Sequence, residues 1–417
     1  MKSCEKISIA IIAEHIGKSP EEITYAFVFD EVYRLARRNI DVHVIRGKIE
    51  RDSISYNIHF HGIKSIVDYQ ALNMLIRNII FYPSISLLRN PIYLYWENLY
   101  ASNVSKVVEK HNLDLIHAHF AYREGLVGLL AKVRTKKPLV VTCHGCDINI
   151  VPEIGYGIRL KRSYDALVRL VLKNADAIIC VSNDMKNKVL KLGVDKEKVF
   201  TVFNGVDINL FRPSLKSEWD ILNKVRIRFG INEDDFVILS ARHLKPIYGI
   251  EYIIYAAKIV TEQVKKAKFI IAGEGELKQK LIKMIRNMNL EKNVMLIGAV
   301  PKSLMPRLMQ ISSLYVNTSL ADGMSPSMLE ACASGLPIVS FNVGGASDII
   351  ENGINGFLVP IKDWRELATK IIYLLQNTTI LKDMARMARK RAQEKFDINK
   401  RIDTIISIYR NLKAKET

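Results

Sequence analysis

The sequence predicts an α/β protein built from two doubly wound, Rossmann-like domains, and three observations carry that expectation. At 417 residues the chain exceeds what one hydrophobic core usually serves, so two domains of about 200 residues are the default. Both halves alternate short apolar runs with amphipathic stretches of helical period, the pattern of parallel strands joined by helical crossovers. Midway, NGVDINLFRP (204–213) is polar and punctuated by Gly and Pro, as a linker is. Domains of residues 1–203 and 214–396 follow, and helical periodicity from about 397 to 417 gives a last helix that packs back on the first domain.

In the first half KISIAIIAE (6–14) reads as a strand, TYAFVFDEVYRLARRN (24–39) as an amphipathic helix and VHVIRG (42–47) as the next strand. DLIHAHF (114–120), PLVVTCH (138–144), AIICVS (177–182) and KVFTVFNG (198–205) continue the strands. The second half restarts with FVILSAR (236–242), KFIIAGEG (268–275), VMLIGAV (294–300), LYVNTS (314–319) and LPIVSF (336–341). Parallel sheets are covered on both faces, which is why their strands read as continuous apolar runs. Two such sheets facing each other are expected to leave a central cleft at the C-terminal ends of their strands, where open α/β sheets bind ligands.

Hydrophobic residues make up 49% and charged residues 25%, ordinary for a soluble globular protein. No uninterrupted apolar run of about 18 residues occurs, and MKSCEKISIAIIAEHIGK is charged too early for a signal peptide, so a cytoplasmic protein is expected. Cys4, Cys143, Cys146, Cys180 and Cys332 are scattered and odd in number, which favours reduced thiols. The net charge of +18 is spread as +1 over residues 1–100, +7 over 101–213, +8 over 214–395 and +2 beyond. A nucleic-acid arm would concentrate it, so no nucleic-acid partner is expected. Acidic small molecules and an anionic membrane surface fit better, the latter placing the protein peripherally on the cytoplasmic face.

Residues 69–100 stand apart. Leu72, Leu75, Ile76, Ile79 and Ile80 keep helical spacing and six aromatics follow between Phe81 and Tyr100, while Arg77, Pro83, Arg89 and Pro91 rule out a spanning helix. Either this is a buried helix face followed by a loop, or an interfacial surface for a membrane or lipid acceptor.

The most informative stretch is ADGMSPSMLEACASG (321–335). Ser325 suits an N-cap and Pro326 the first helical position, so a helix is predicted over 326–334, stopped by Gly335 and Pro337. With LYVNTS before and LPIVSF after, the unit is a βαβ crossover. Glu330 lies three residues after Ser327 on one face and leans toward the helix start, while Asp322 comes from the loop above. The free N–H groups and positive dipole end of such a helix bind phosphate. An anion there, flanked by two carboxylates that accept from hydroxyls, describes a sugar joined to a nucleoside diphosphate. A turn Asp and a surface-helix Glu are the plain alternative.

With NGVDINLFRP, ARHLKPIYG, AGEGEL, DGMSPSMLEA and GLPIVSFNVGG in this order and spacing, the second half resembles the retaining GT-B glycosyltransferases of family 4, the glycosyl transferases group 1. The resemblance runs over most of residues 200–360, and HAHF and TCHGCDI extend it more weakly into the first half. It implies an acceptor-binding first domain, a nucleotide-sugar-binding second domain, and transfer to a hydroxyl of a saccharide or lipid-linked saccharide with retained anomeric configuration. It places Glu330 on the ribose hydroxyls and Asp322 on hydroxyls of the transferred sugar. Gly323, Met324, Ser325 and Ser327 supply backbone N–H groups. Arg242 matches the family's diphosphate-binding Arg. The partner Lys six residues on is replaced by Tyr248, with Lys245 as substitute, and the usual first acid, Glu, is replaced by Asp322. Val300 lies where the family's chain passes the nucleobase. In the first half His144 matches a histidine beside the transferred sugar, His119 and Asp147 are further acceptor-side candidates, and the usual glycine-rich loop is reduced to Gly17.

No D-x-D triplet occurs, so fixed positive charge and the helix end are expected to do what a metal does in the other main glycosyltransferase fold, and no metal cofactor is expected. Cys143, His144 and Cys146 with His117 and His119 allow a zinc site, but no second Cys pair at zinc-ribbon spacing supports it. GEGE (273–276) is not G-x-G-x-x-G, which counts against a nicotinamide-dependent oxidoreductase. The rival from another class is a non-catalytic nucleotide-sugar-binding protein of the same fold.

Overall fold

The structure, a computed structural model, describes residues 6–14, 16–19, 26–65, 67–81 and 90–415. Two compact units divide the chain: Met1–Val202 with Arg401–Thr417, and Phe203–Lys400.

The first unit is built on β1 (Ile7–Ile12), β2 (Ile40–Ile49), β3 (Ser53–Ser55), β4 (Ile58–Ile63), β5 (Leu115–His119), β6 (Leu139–Cys143), β7 (Ala177–Cys180) and β8 (Val199–Thr201). They pair in the order β3-β4-β2-β1-β5-β6-β7-β8, all parallel except β3 against β4. Helices α1 (Ala26–Ala36), α2 (Tyr69–Phe81), α3 (Pro91–His111) and α4 (Arg123–Thr135) belong to this unit. Ile9, Ile11, Val42, Val44, Ile116, Val140 and Ile178 are wholly buried, as strands covered on both faces must be. The helix Ile398–Ala414 enters this unit from Arg401 onward. Arg401 donates Nη2 and Nε to Glu31 Oε2 at 2.6 and 3.0 Å, a fully buried pair.

The second unit holds β9 (Phe236–Ala241), β10 (Ala267–Ala272), β11 (Val294–Gly298), β12 (Leu314–Asn317), β13 (Ile338–Phe341) and β14 (Gly356–Val359), parallel throughout in the order β11-β10-β9-β12-β13-β14. Strand order reverses between β9 and β12, and in the first sheet between β1 and β5. Those two points are where a doubly wound sheet opens for ligands.

Three features depart from the sequence reading. Residues 53–63 form a hairpin, with Tyr56 and Asn57 both left-handed at φ 55° and 61°, the geometry of a two-residue type I′ turn. Tyr is a poor marker for that geometry, so the turn signal is reduced to Asn57. Residues 204–213 are packed rather than extended: Val206 pairs with Asp397, Phe211 is buried, and Arg389 Nη1 donates to the carbonyls of Ile208 and Phe211 at 3.0 Å each. In α2 the buried face is Ala71 and Met74, whereas Leu72 and Ile76 are exposed. The side chains of Ile79, Ile80, Phe81, Pro83, Arg89 and Pro91 lie outside the described residues. Of the aromatics within reach, Tyr100 is fully buried and donates to the Ile45 carbonyl at 2.7 Å. Among the described residues no helix is long and apolar enough to cross a membrane.

Candidate active site

Arg242 is the first residue beyond β9, and the loop carrying Asp322 leaves the neighbouring β12, so both stand where the second sheet's order reverses. The guanidinium is held by several groups at once. Nε donates to Asn317 Oδ1 at 3.2 Å, Nη2 donates to Ser319 Oγ at 3.0 Å and to the Asp322 carboxylate. Its carbon lies 4.7 Å from the centre of the Tyr248 ring. Asn317 is fixed in turn, donating Nδ2 to Ser340 Oγ at 3.0 Å and accepting from Ser319 Oγ at 2.9 Å. Two glycines permit the backbones to meet: a Cβ at Gly273 would sit 1.9 Å from the Arg242 carbonyl oxygen, and one at Gly344, φ 48°, 1.9 Å from that of Asp322. No other residue tolerates that approach.

Past Asp322 the chain enters the helix Pro326–Ala333, whose start is capped by Ser325 Oγ accepting from the Met328 N–H at 3.3 Å. Tyr315, on β12, donates its hydroxyl to Ser327 Oγ at 2.7 Å, and Asn204 Nδ2 donates to the Met324 carbonyl at 3.1 Å. Among the described residues, the backbone N–H groups of Gly323, Met324, Ser325 and Ser327 donate to no protein acceptor. Unpaired donors at a helix start are an anion site. Glu330 follows on the helix, half-buried; burial pushes its carboxyl up to about 7 against the pull of Lys302 and Arg242.

The remaining second-unit candidates are placed less centrally. Lys245 is exposed at the start of a single 3₁₀ turn, and among the described residues its ammonium has no ion-pair partner. Val300 is half-buried two residues past the edge strand β11, so β10 stands between its strand and β9. Sequence reasoning missed Asn317, Ser319 and Lys302, and it treated Tyr248 only as a missing lysine. The signal for the first two was polar residues ending an apolar strand, NTS (317–319).

In the first unit β5 carries His117 and His119, and β6 runs directly into His144. His119 Nδ1 and His144 Nε2 are 3.0 Å apart with their rings stacked at 5.2 Å. His117 is used internally, with Nε2 on Thr142 Oγ1 at 2.7 Å and Nδ1 on the Tyr409 hydroxyl at 2.6 Å. Burial holds His144 and His117 well below the usual imidazole range and lowers His119 to about 4, so all three are neutral at pH 7. Asp147 is fully buried: Oδ2 accepts from the Ala121 N–H at 2.9 Å, and Oδ1 from those of His144 and Gly145 at 3.2 and 2.8 Å. It shapes the loop that presents His144 rather than offering a carboxylate outward. Gly17 is buried just after β1. Cys143 is buried on β6 opposite Cys180 on β7. Among the described residues, neither it nor Cys146 joins a group of convergent metal-type donors. Also missed were Glu97 and Glu124, around Arg123 and Glu14, whose carboxyls burial pushes up to about 7 and about 8.

Comparison with known proteins follows the same division. The family described as Glycosyl transferases group 1 matches residues 223–394, and that described as Glycosyltransferase Family 4 matches residues 26–210. The chain is 26% identical over 381 residues to the N-acetyl-alpha-D-glucosaminyl L-malate synthase of Bacillus anthracis, covering 90% of each chain. It is 28% identical over 309 residues to the UDP-Gal:alpha-D-GlcNAc-diphosphoundecaprenol alpha-1,3-galactosyltransferase of Escherichia coli, covering 73% of this chain and 77% of that one. The structure of Anabaena Alr3699/HepE in complex with UDP superposes with a TM-score of 0.75 at 20% identity, covering 97% of this chain and 100% of that chain.

Proposed function

The chain belongs to the GT-B glycosyl transferases group 1, and from that premise we propose that it moves a glycosyl group from a nucleoside diphosphate sugar to a hydroxyl of a saccharide or lipid-linked saccharide, with retention at the anomeric carbon. The observation that carries this is the juxtaposition of a multiply anchored Arg242 with unpaired N–H donors at residues 323–327. A diphosphate leaving group needs positive charge that is already in place when the bond breaks. Lys245, exposed and without an ion-pair partner among the described residues, is positioned in sequence to add a second cation. Glu330 would accept from the ribose hydroxyls, Asp322 from a hydroxyl of the transferred sugar, and Val300 would border the base. Within the first unit, His144 would offer a neutral nitrogen to a saccharide hydroxyl, with His119 behind it at 3.0 Å.

In the step proposed, the bond between C1 and the phosphate oxygen breaks as the acceptor oxygen bonds to C1 on the same face. The acceptor's proton goes to the departing phosphate oxygen, and no protein nucleophile takes part. Uridine nucleotide sugars are the first donors to test, since two of the similar proteins carry UDP in their names. Nucleotide release with an acceptor panel separates transfer from mere binding, and the anomeric coupling of the product by NMR separates retention from inversion. Chelator is expected to leave turnover intact; complete loss restored by Mg²⁺ or Mn²⁺ would overturn the metal-free reading.

Reversible contact with an anionic membrane is a second reading, supported by the exposed Val67, Tyr69, Leu72, Ile76 and Ile92 around α2 and the start of α3 in a chain of net charge +18. Co-sedimentation with vesicles should rise with anionic lipid and fall with salt; binding indifferent to both would sink it.

A further inference from the structure

Away from both strand-end sites, one edge of the first sheet carries imidazoles that sugar transfer does not use. His43 on β2 lies opposite His59 on β4, His61 shares that face two residues on, and His111 closes α3. The His43 ring stacks 4.6 Å from His59 and 5.2 Å from His61, and His111 approaches His43 to 4.5 Å and His61 to 5.6 Å. One ring nitrogen from each of His43, His61 and His111 lies within 4.8 Å of the others, and His43 Nδ1 and His61 Nε2 are 2.9 Å apart.

A carboxylate sets which of those last two nitrogens accepts. Asp52 Oδ2 lies 3.4 Å from His61 Nδ1 and draws that ring's proton to its side, leaving His61 Nε2 to accept, while Asp41 Oδ1 lies 3.6 Å from His43 Nε2. His43 Nδ1 and His61 Nε2 then share one proton in a hydrogen bond of 2.9 Å, which a dication between them would displace. Nitrogens bound tetrahedrally to zinc at about 2.0–2.1 Å stand about 3.3 Å apart, so opening the contact by a few tenths of an ångström admits the ion. Burial and the neighbouring rings hold His43 down at about 4 and lower His61 and His111 as well. An entry path exists: a cavity of about 550 Å³ is lined in part by Asp52, His61, Lys106 and His111. Of the other two groups among the described residues, Asp41, His43 and His59 shares His43, and Glu31, His117 and His119 fails this test because Thr142 and Tyr409 occupy both nitrogens of His117.

We propose that His43, His61 and His111 form a site for a first-row transition dication of the zinc type, with solvent completing the coordination and Asp41 and Asp52 orienting two of the ligands. An all-imidazole set selects zinc, copper or nickel over magnesium or calcium. The ion would tie the end of α3 to β2 and β4.

The test uses the full chain prepared without a polyhistidine tag, stripped with chelator and titrated with Zn²⁺ by calorimetry and with Co²⁺ by visible absorption. One ion per chain is expected. Because His43 and His61 are buried, their variants could fail to fold, so the exposed His111 carries the test. His111→Ala should weaken binding by more than the about ten- to hundredfold that losing an orienting partner of a ligand costs, with an unchanged circular dichroism spectrum, while His59→Ala should stay within about threefold of the parent. Absence of stoichiometric binding, equal affinity in the parent and His111→Ala, or a greater loss in His59→Ala would overturn the proposal.

Discussion

The ends of β9 and β12 flank the order reversal of the second sheet, and the ends of β5 and β6 lie beside that of the first, yet their chemistry is opposite. At the first, Arg242 is held by neutral Asn317 and Ser319 and by the Asp322 side chain, beside N–H groups that meet no acceptor among the described residues. At the second, His117, His119 and His144 are stripped of charge by burial. The contrast teaches that topology fixes where a site opens, while the residues at the strand ends decide whether it presents fixed charge or neutral imidazoles. A charged site must bring its own counter-ion when empty, and Asp322 is that counter-ion; a neutral imidazole site needs none.

The comparison breaks most visibly at Arg242. Arg242→Ala removes the fixed cation and leaves Asp322 without it, and we expect kcat/KM to fall by about a thousandfold, the upper range for losing one preorganised donor to a developing oxyanion. Arg242→Lys should recover little, because one ammonium cannot reproduce the planar fork that serves Asn317, Ser319 and Asp322. Near-normal turnover in either variant would remove the charged half of the contrast.

Next in size is Glu330→Gln. Losing a charge-assisted hydrogen bond costs about 1.5–3 kcal/mol, so calorimetric affinity for a nucleoside diphosphate should drop by roughly one to two powers of ten. The sign of the pH effect follows from a carboxyl raised from its ordinary 4.5 to about 7. Parent affinity rises as pH climbs through about 7 and the carboxylate forms, and this rise is absent in the variant. Stability runs the other way: a raised carboxyl favours folding below 4.5 and loses that contribution as pH rises to about 7. At pH 8 the variant should therefore melt higher than the parent, and at pH 4 the two should coincide. A pH-independent parent affinity would argue that Glu330 does not touch the ribose.

Asp322→Asn sharpens the contrast because the same residue neutralises Arg242 in the empty site and is assigned to the transferred sugar. Free nucleoside diphosphate affinity should stay level or rise a few-fold, since the phosphate no longer competes with a carboxylate for the guanidinium. Turnover with the whole donor should fall, by about tenfold or more, as contacts to the sugar strengthen in the transition state. A loss of nucleotide affinity matching that of Glu330→Gln would mean the two acids do not divide the donor between them.

The smallest effect belongs to the neutral site. His144→Gln keeps a polar group but alters its reach, so turnover should fall by about tenfold with nucleoside diphosphate affinity unchanged. The parent's turnover should show no break near pH 6.5 from an imidazole, because burial holds these rings far lower. An imidazole-type break lost in His144→Gln would show that the ring charges during the reaction.

Much of the second unit was legible because its signals are local. Ser325 and Pro326 mark a helix start by chemistry contained in two residues, and the cap is seen at that position. β9 to β13 are continuous apolar runs, so their order along the chain could be read directly. The hairpin at 53–63 was missed because its left-handed turn uses Tyr56, and β14 (Gly356–Val359) is four residues long. At the site, the position of Arg242 came from motif resemblance, but its partners did not, because Asn317 and Ser319 lie 75 and 77 residues away.

By itself, the sequence determined the α/β class, the two-unit plan and the placing of Asp322, Ser325 and Glu330 on one loop and helix, since apolar period, capping chemistry and residue order are properties of neighbours along the chain. Only the tertiary structure decided which charges meet. The pairing of Arg242 with Asp322, the burial that lifts Glu330 to about 7 and the convergence of His43, His61 and His111 arise between residues on different elements, where sheet order and the removal of water set the distance and the local dielectric.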